Sequence, residues 1–316
     1  MTVVLPYPAT GSPDVEGTSR ITKLLKTMQT YSTPALTDNL AQQLVQSLSG
    51  ALDQPVNIER QPTGNTIAGT SHVVNARPDG YTLLFTGNPT VTIFPATYPQ
   101  LPFNPHRDLA PVALFARMPL ALIARSGSSI TTVRELVARA RRMPGQINYA
   151  VLGEGTTSRL TGEFFGATSR VEIVHVNYNG SVPAINAVIT DNVDFGFVPL
   201  TSVLPFLNGG AVRVIALTTG ARHISVPAVP TLAESGLPGF DAAGWFGVFA
   251  QSGVSGAIIA QLNSAINRAL SEDMLSRTLS KLGLDISIGT PGEFQTLIKN
   301  DTERWGRLIK APSLSP

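Results

Sequence analysis

The chain has 316 residues, 43% of them hydrophobic and 14% charged, with a formal net charge of +2 and no cysteine. That length and apolar content suit one large domain or two medium ones with proper cores, and they exclude a disordered chain. The charge balance excludes a basic nucleic-acid face, and the absence of cysteine excludes disulfides, thiolate metal sites and cysteine nucleophiles.

Thr2-Val3-Val4-Leu5 reads as a strand that follows Met1 directly. Natural chains seldom begin inside a core strand, so the start looks engineered and an export signal looks removed. No apolar stretch approaches the ~20 residues of a membrane span. After the Pro6–Pro13 loop, Leu36, Leu40, Leu44, Val45, Leu48 and Leu52 recur at helical spacing. They predict a helix over Ala35–Leu52 with Thr37 as its N-cap. Val56–Glu59 reads as a strand, Thr66–Ala76 as a short helix, and Tyr81–Phe85 as a strand after the Pro78-Asp79-Gly80 turn. Pro111–Phe115 and Leu120–Ala124 read as two further strands. Thr132 and Glu135 make a capping box for a helix to Arg142, which Pro144-Gly145 stops. Arg134, Arg139, Arg141 and Arg142 give that helix a solvated face. Ile147–Val151, Ile173–Val176, Asp194–Val198 and Val212–Leu217 read as strands. Leu160–Phe165, Val182–Ile189, Leu200–Leu207, Gly256–Leu270 and Glu293–Lys310 read as helices. This alternation predicts an α/β architecture with largely parallel sheets, in which ligands sit at the carboxyl ends of strands.

The loop after Ile147–Val151 is the most telling local feature. Gly153 and Gly155 lead into Thr156, Thr157 and Ser158, where the next helix would start. Such a turn aims backbone N–H groups and hydroxyls at one spot that the helix dipole makes attractive to an anion. The same order also suits an ordinary turn with Thr157 or Ser158 as an ordinary N-cap. No catalytic group accompanies it. His72, His106, His175 and His223 lack partners at metal-ligand spacing, and no P-loop, G-x-S-x-G elbow or H-E-x-x-H motif occurs. The glycines nearly match a dinucleotide fingerprint but lack its third glycine. Tyr178, between Asn177 and Asn179-Gly180, suits a site loop. Phe164, Phe165, Trp245 and Phe246 suit a core.

Several stretches taken together resemble one family. They are Leu5-Pro6-Tyr7-Pro8-Ala9-Thr10-Gly11, Gln54-Pro55-Val56, Arg77-Pro78-Asp79-Gly80-Tyr81-Thr82-Leu83-Leu84 and Asp108-Leu109-Ala110-Pro111-Val112. Gly145-Gln146-Ile147-Asn148-Tyr149-Ala150, Val174-His175-Val176-Asn177-Tyr178-Asn179-Gly180 and the run from Val229 to Phe240 complete the set. Each is weak alone. In this order they resemble the Bug/TctC family, the extracytoplasmic solute receptors of tripartite tricarboxylate transporters.

The resemblance implies a two-lobed α/β fold of the periplasmic-binding-protein (Venus-flytrap, type II-like) class with a ligand cleft between lobes. Lobe 1 would comprise 1–117 plus 250–316, and lobe 2 would comprise 118–249. It implies a periplasmic monomer, without metal or cofactor, that captures a small mono- or dicarboxylate and hands it to membrane permease subunits. Ligand contacts are expected from Tyr7, Ala9, Thr10, Gly11, Asp14, Gly87 and Asn88 in the first lobe. In the second they are expected from Gly155, Thr156, Thr157, Ser158, Tyr178, Gly180 and Phe197. A sensor domain presenting the acid to a signalling partner would use the same cleft. An enzyme on the same fold would need a base–nucleophile pair that this sequence does not offer. Three departures from the family pattern stand out. Thr10 replaces a glycine, with Asp14 and Asp38 competing for the family aspartate. Arg159 stands where a histidine is common. Val198 stands where amino-acid-binding relatives carry an acid, which points to a ligand without an ammonium group. The insert Val15–Pro34 carries Ile21, Leu24, Leu25 and Met28 at helical spacing. It reads as an amphipathic helix, packed either at the cleft mouth or elsewhere on the first lobe.

Overall fold

Strand and helix alternate along the computed structural model, which describes residues 1–5, 33–52, 55–60, 66–98, 100–153 and 155–310. In chain order the elements are β1 (Thr2–Leu5), α1 (Thr33–Leu52), β2 (Asn57–Arg60), α2 (Ile67–Val74), β3 (Thr82–Gly87) and a π-helical turn at Pro89–Ile93. After two single helical turns come β4 (Leu109–Arg125), α3 (Val133–Arg142), β5 (Ile147–Val151), α4 (Thr157–Ser169), β6 (Ile173–Asn177), α5 (Ser181–Ile189) and β7 (Phe195–Pro199). The chain continues with α6 (Leu200–Leu207), β8 (Val212–Leu217), β9 (Ala243–Gln251), α7 (Gly256–Leu270), α8 (Asp273–Lys281), β10 (Asp285–Ile286) and α9 (Pro291–Ile309). The expected Pro6–Pro13 loop and most of the insert Val15–Pro34 lie outside the described residues.

Contacts divide the chain into two units: Met1–Ala116 with Trp245–Ser276 and Ile286–Glu303, and Arg117–Gly244 with Arg277–Asp285 and Arg304–Pro316. Two stretches that the sequence reading puts in lobe 1 therefore group with the second unit. Local bonds account for this. Ser225 Oγ donates to the Ser280 carbonyl at 2.8 Å, and His223 Nε2 lies 3.5 Å from Asp285 Oδ1. The Arg304 guanidinium bonds to the Asp241 carbonyl and covers the Phe164 ring at 5.6 Å.

In unit 1, β1 pairs in parallel with β2 and β3, and β3 runs antiparallel to β9. β3 and β9 are buried on both faces, and Leu84, Trp245 and Phe249 cluster with Val73, Phe294 and Ile298. The Trp245 indole N–H donates to the buried Asp301 carboxylate at 2.8 Å, so the polar edge of the ring is satisfied inside the core. In unit 2, β5 lies between β6 and β7 and pairs with both in parallel. β4 runs antiparallel to β7 and to β8. The sheets are thus more mixed than the predicted largely parallel arrangement.

Two local expectations are corrected. Thr37 is not an N-cap, because α1 starts at Thr33 and Thr37 is fully buried within it. Pro34 belongs in that first turn, where a missing N–H costs nothing. The two strands predicted at Pro111–Phe115 and Leu120–Ala124 are one strand of 17 residues, Leu109–Arg125. Pro119 removes one ladder donor but leaves the chain extended. The next N–H, that of Leu120, donates to Thr218 Oγ1 at 3.1 Å.

Candidate functional site

In unit 2, β5 delivers the glycine–hydroxyl loop to the carboxyl edge of the sheet. Gly153 (φ 109°) and Gly155 (φ 66°) both occupy positive-φ backbone, which side chains adopt only with strain. These turns bring Thr156 to the start of α4 in extended geometry, φ −94° and ψ 153°. Its hydroxyl donates to the Gly153 carbonyl at 2.7 Å and accepts the Arg159 N–H at 3.4 Å. Thr156, rather than Thr157 or Ser158, is therefore the N-cap. Thr157 and Ser158 are buried in the first helical turn. Ser158 Oγ donates to the Phe197 carbonyl at 2.5 Å. The hydroxyl protons of Thr156 and Ser158 are thus used within the protein, and what the loop offers an anion is backbone N–H and the helix dipole. No acidic side chain lies in the first turn of α4 to neutralise that dipole.

The loop after β6 stands beside it. Val151 and Asn177 are register partners, and the Tyr178 N–H donates to the Val151 carbonyl at 2.9 Å. Gly180 turns the chain with φ 106° and caps α5, whose first turn also lacks an acidic residue. Two helix N-termini therefore leave adjacent parallel strands at one sheet edge. Gly155, Thr156, Thr157, Ser158, Tyr178 and Gly180 lie in the two loops at that edge. Phe197 does not join them as a side chain. Its ring is fully buried against Tyr149, Phe165 and Phe195, because β7 turns that face into the core. Its contribution to the edge is the carbonyl that holds Ser158.

In unit 1, Gly87 ends β3 opposite Phe246 of β9. Asn88 follows, buried, with its Oδ1 accepting the Trp245 N–H at 3.3 Å. Beside it lies a hydroxyl cluster. The buried hydroxyls of Thr66 and Thr86 both meet that of Thr90, at 2.9 and 3.0 Å. Thr66 carries φ 74°, unusual for a β-branched residue and a mark of strained functional loops. Thr86 and Thr90 belong to the hydroxyl-rich run after β3 that is visible in the sequence, and folding adds Thr66 to them. Asp38 is engaged by Arg60 Nε at 2.6 Å and by Gln42. Tyr7, Ala9, Thr10, Gly11 and Asp14 lie outside the described residues.

Beneath the β5 loop sits a half-buried charged cluster. Glu163 of α4 lies 3.7 Å from His175 Nδ1 and accepts from the Tyr149 hydroxyl at 3.3 Å. Burial pushes the Glu163 carboxyl above its usual range, and Arg159 and His175 oppose that. Burial holds the His175 imidazole below its usual value, helped by Arg159. Burial, with Glu163 alongside, raises Tyr149 far enough to keep it a neutral phenol. Among the described residues, no three carboxylate or imidazole groups converge as a metal would require.

Comparison with known proteins gives this geometry a setting. The sequence model described as tripartite tricarboxylate transporter family receptor matches residues 40–314. A UPF0065 protein in the tcbD-tcbE intergenic region of Pseudomonas sp. (strain P51) is 33% identical over 86% of this chain and 81% of its own length. R. palustris Rpa4515 with adipate shares 27% identity at a TM-score of 0.75, covering 98% of this chain and 95% of that one. MatC from Rhodopseudomonas palustris with bound malate shares 27% identity at a TM-score of 0.72, covering 98% of both chains.

Proposed function

The chain belongs to the tripartite tricarboxylate transporter receptor family, and from that premise we propose that it is a periplasmic solute-binding receptor for a small carboxylate-bearing organic acid. The observation that carries this reading is the pair of helix N-termini, α4 and α5, at one sheet edge, neither with an acidic side chain in its first turn. Backbone N–H groups at such a site hold a carboxylate without chemistry, which suits capture and release. Two relatives at 27% identity bear adipate and malate, so the ligand class is supported by similarity as well as by geometry. We assign the carboxylate contact in unit 2 to the first-turn backbone of α4, to Gly155 and Thr156, and to the Tyr178–Gly180 turn. Gly87 and Asn88 are the unit-1 candidates. The bound acid would pass to the permease subunits of a tripartite transporter, with no turnover in the receptor.

Titration calorimetry with adipate, malate and succinate tests this. The expected result is saturable 1:1 binding of at least one of them, with the acid recovered unchanged. The 2-amino analogue of the acid that binds should bind more weakly, since neither α4 nor α5 carries an acidic side chain in its first turn to pair an ammonium. Absence of binding by all three acids would overturn the reading, and so would their conversion to product.

A further inference from the structure

The start of α4 is clamped from two sides, and the second clamp has no place in the reading above. Ser158 is held by β7 through the Phe197 carbonyl. From β5, Tyr149 passes beneath the same helix. Its ring stacks on Phe195 at 5.3 Å and stands edge-on to Phe197 at 6.1 Å. It fits only because residue 162 is glycine: a Cβ there would lie 2.1 Å from the ring. The hydroxyl then reaches two groups on the first turns of α4, Glu163 Oε1 at 3.3 Å and the Arg159 carbonyl at 3.5 Å. β5 is the strand that feeds the glycine loop, so this contact ties the beginning of the loop to the helix that follows it.

We propose that Tyr149 is a positioning residue for the carboxylate site, acting through Glu163 and the Arg159 carbonyl to hold the α4 N-terminus at a set distance from the end of β5. The inference rests on the receptor reading. N–H groups preorganised toward an anion bind it better than the same groups on a loosely held helix. The groups facing Glu163 are Tyr149 from β5, His175 from β6 and Arg159 from α4 itself, while β7 surrounds the Tyr149 ring with Phe195 and Phe197. Ionised Glu163 places negative charge behind the helix end that meets the ligand, so its protonation strengthens anion binding.

The test is calorimetry with adipate, malate and succinate between pH 5 and 8 on the parent, Tyr149→Phe and Glu163→Gln. Tyr149→Phe keeps the ring and removes the hydroxyl. It should weaken binding about fivefold, the scale of one hydrogen bond. It should also move the pH step in affinity upward, because ionised Glu163 loses a donor. Glu163→Gln keeps an oxygen acceptor for Tyr149. It should keep the parent's high-affinity limit and lack the Glu163 step, leaving only the titrations of His175 and of the probe. A structural role alone would lower the melting temperature of Tyr149→Phe and leave the step in place, and that result would overturn the proposal. Equal affinities for Tyr149→Phe and the parent would overturn it as well. If the parent binds none of the three acids, the receptor reading falls and takes this inference with it.

Discussion

Gly162 has no room for a β-carbon. The atoms it would strike belong to a fully buried tyrosine ring held between phenylalanines, which cannot swing away. Gly162→Ala should therefore destabilise the protein by about 1–3 kcal/mol despite alanine's better helix propensity, because overpacking outweighs the backbone gain. Urea denaturation followed by far-UV circular dichroism would measure this, and an unchanged midpoint would show that the ring yields. Glu163 makes a second prediction at this scale. Burial raises its folded pKa above the unfolded value. The folded state thus prefers the protonated form. That contribution to stability is full below the ordinary carboxylate value of about 4.3 and is lost as pH rises through the raised folded value. Glu163→Gln, which cannot ionise, should melt higher than the parent at pH 7. The difference should shrink as pH falls towards 4. A parent that matches the variant at pH 7 would contradict the assignment.

At the scale of elements, α7 is joined to its surroundings by amides rather than by apolar packing alone. Asn263 Nδ2 donates to the carbonyls of Val112 in β4 and Gly289 before α9, each at 2.9 Å. Asn267 adds a bond of 2.9 Å to the same Gly289 oxygen. Asn263 is buried, so its removal strands the Val112 carbonyl without water. Asn263→Ala should cost about 1–3 kcal/mol. Amide exchange should quicken at both ends of the contact, in α7 and at the start of α9. Exchange that changes in α7 alone would mean that the side chain serves only its own helix. The same reasoning explains why the β5–α4 and β6–α5 junctions form one edge. Strand pairing places the two loops side by side, and the Tyr178 bond to Val151 extends that pairing beyond the last ladder residue.

For the whole molecule, capture of a ligand adds directly to the stability of the folded chain. An acid present at 100 times its Kd adds about 2.7 kcal/mol, which raises the Tm of a protein of this size by about 4 °C. Differential scanning fluorimetry against an organic-acid panel would read this shift. A panel in which saturating acids leave Tm unmoved would count against a receptor. The chain passes from one unit to the other at Ala116/Arg117, Gly244/Trp245, Ser276/Arg277, Asp285/Ile286 and Glu303/Arg304. A truncation after unit 1 or unit 2 would therefore cut through elements such as β4, α8 and α9 rather than through a linker.

Periodicity and turn chemistry determined most elements by themselves. The α3 capping box, the β5–glycine–hydroxyl–α4 order and the helices at α5, α6, α7 and α9 were legible because each depends on residues within a few positions of one another. The ordered set of short motifs carried the family in the same way. Tertiary structure decided what local signals cannot hold. It joined two expected strands into β4, because strand continuity depends on neighbours such as Thr218 and not on Pro119 alone. It turned Phe197 into the core and left its carbonyl as the useful group, since the choice between sheet faces is made by what packs there. It gave the protons of Thr156 and Ser158 to internal acceptors, so the proposed carboxylate contact falls to backbone N–H groups. It also brought Tyr149, Gly162 and Glu163 into one contact across a strand and a helix. Separate runs of sequence encode those residues, and only packing makes them neighbours.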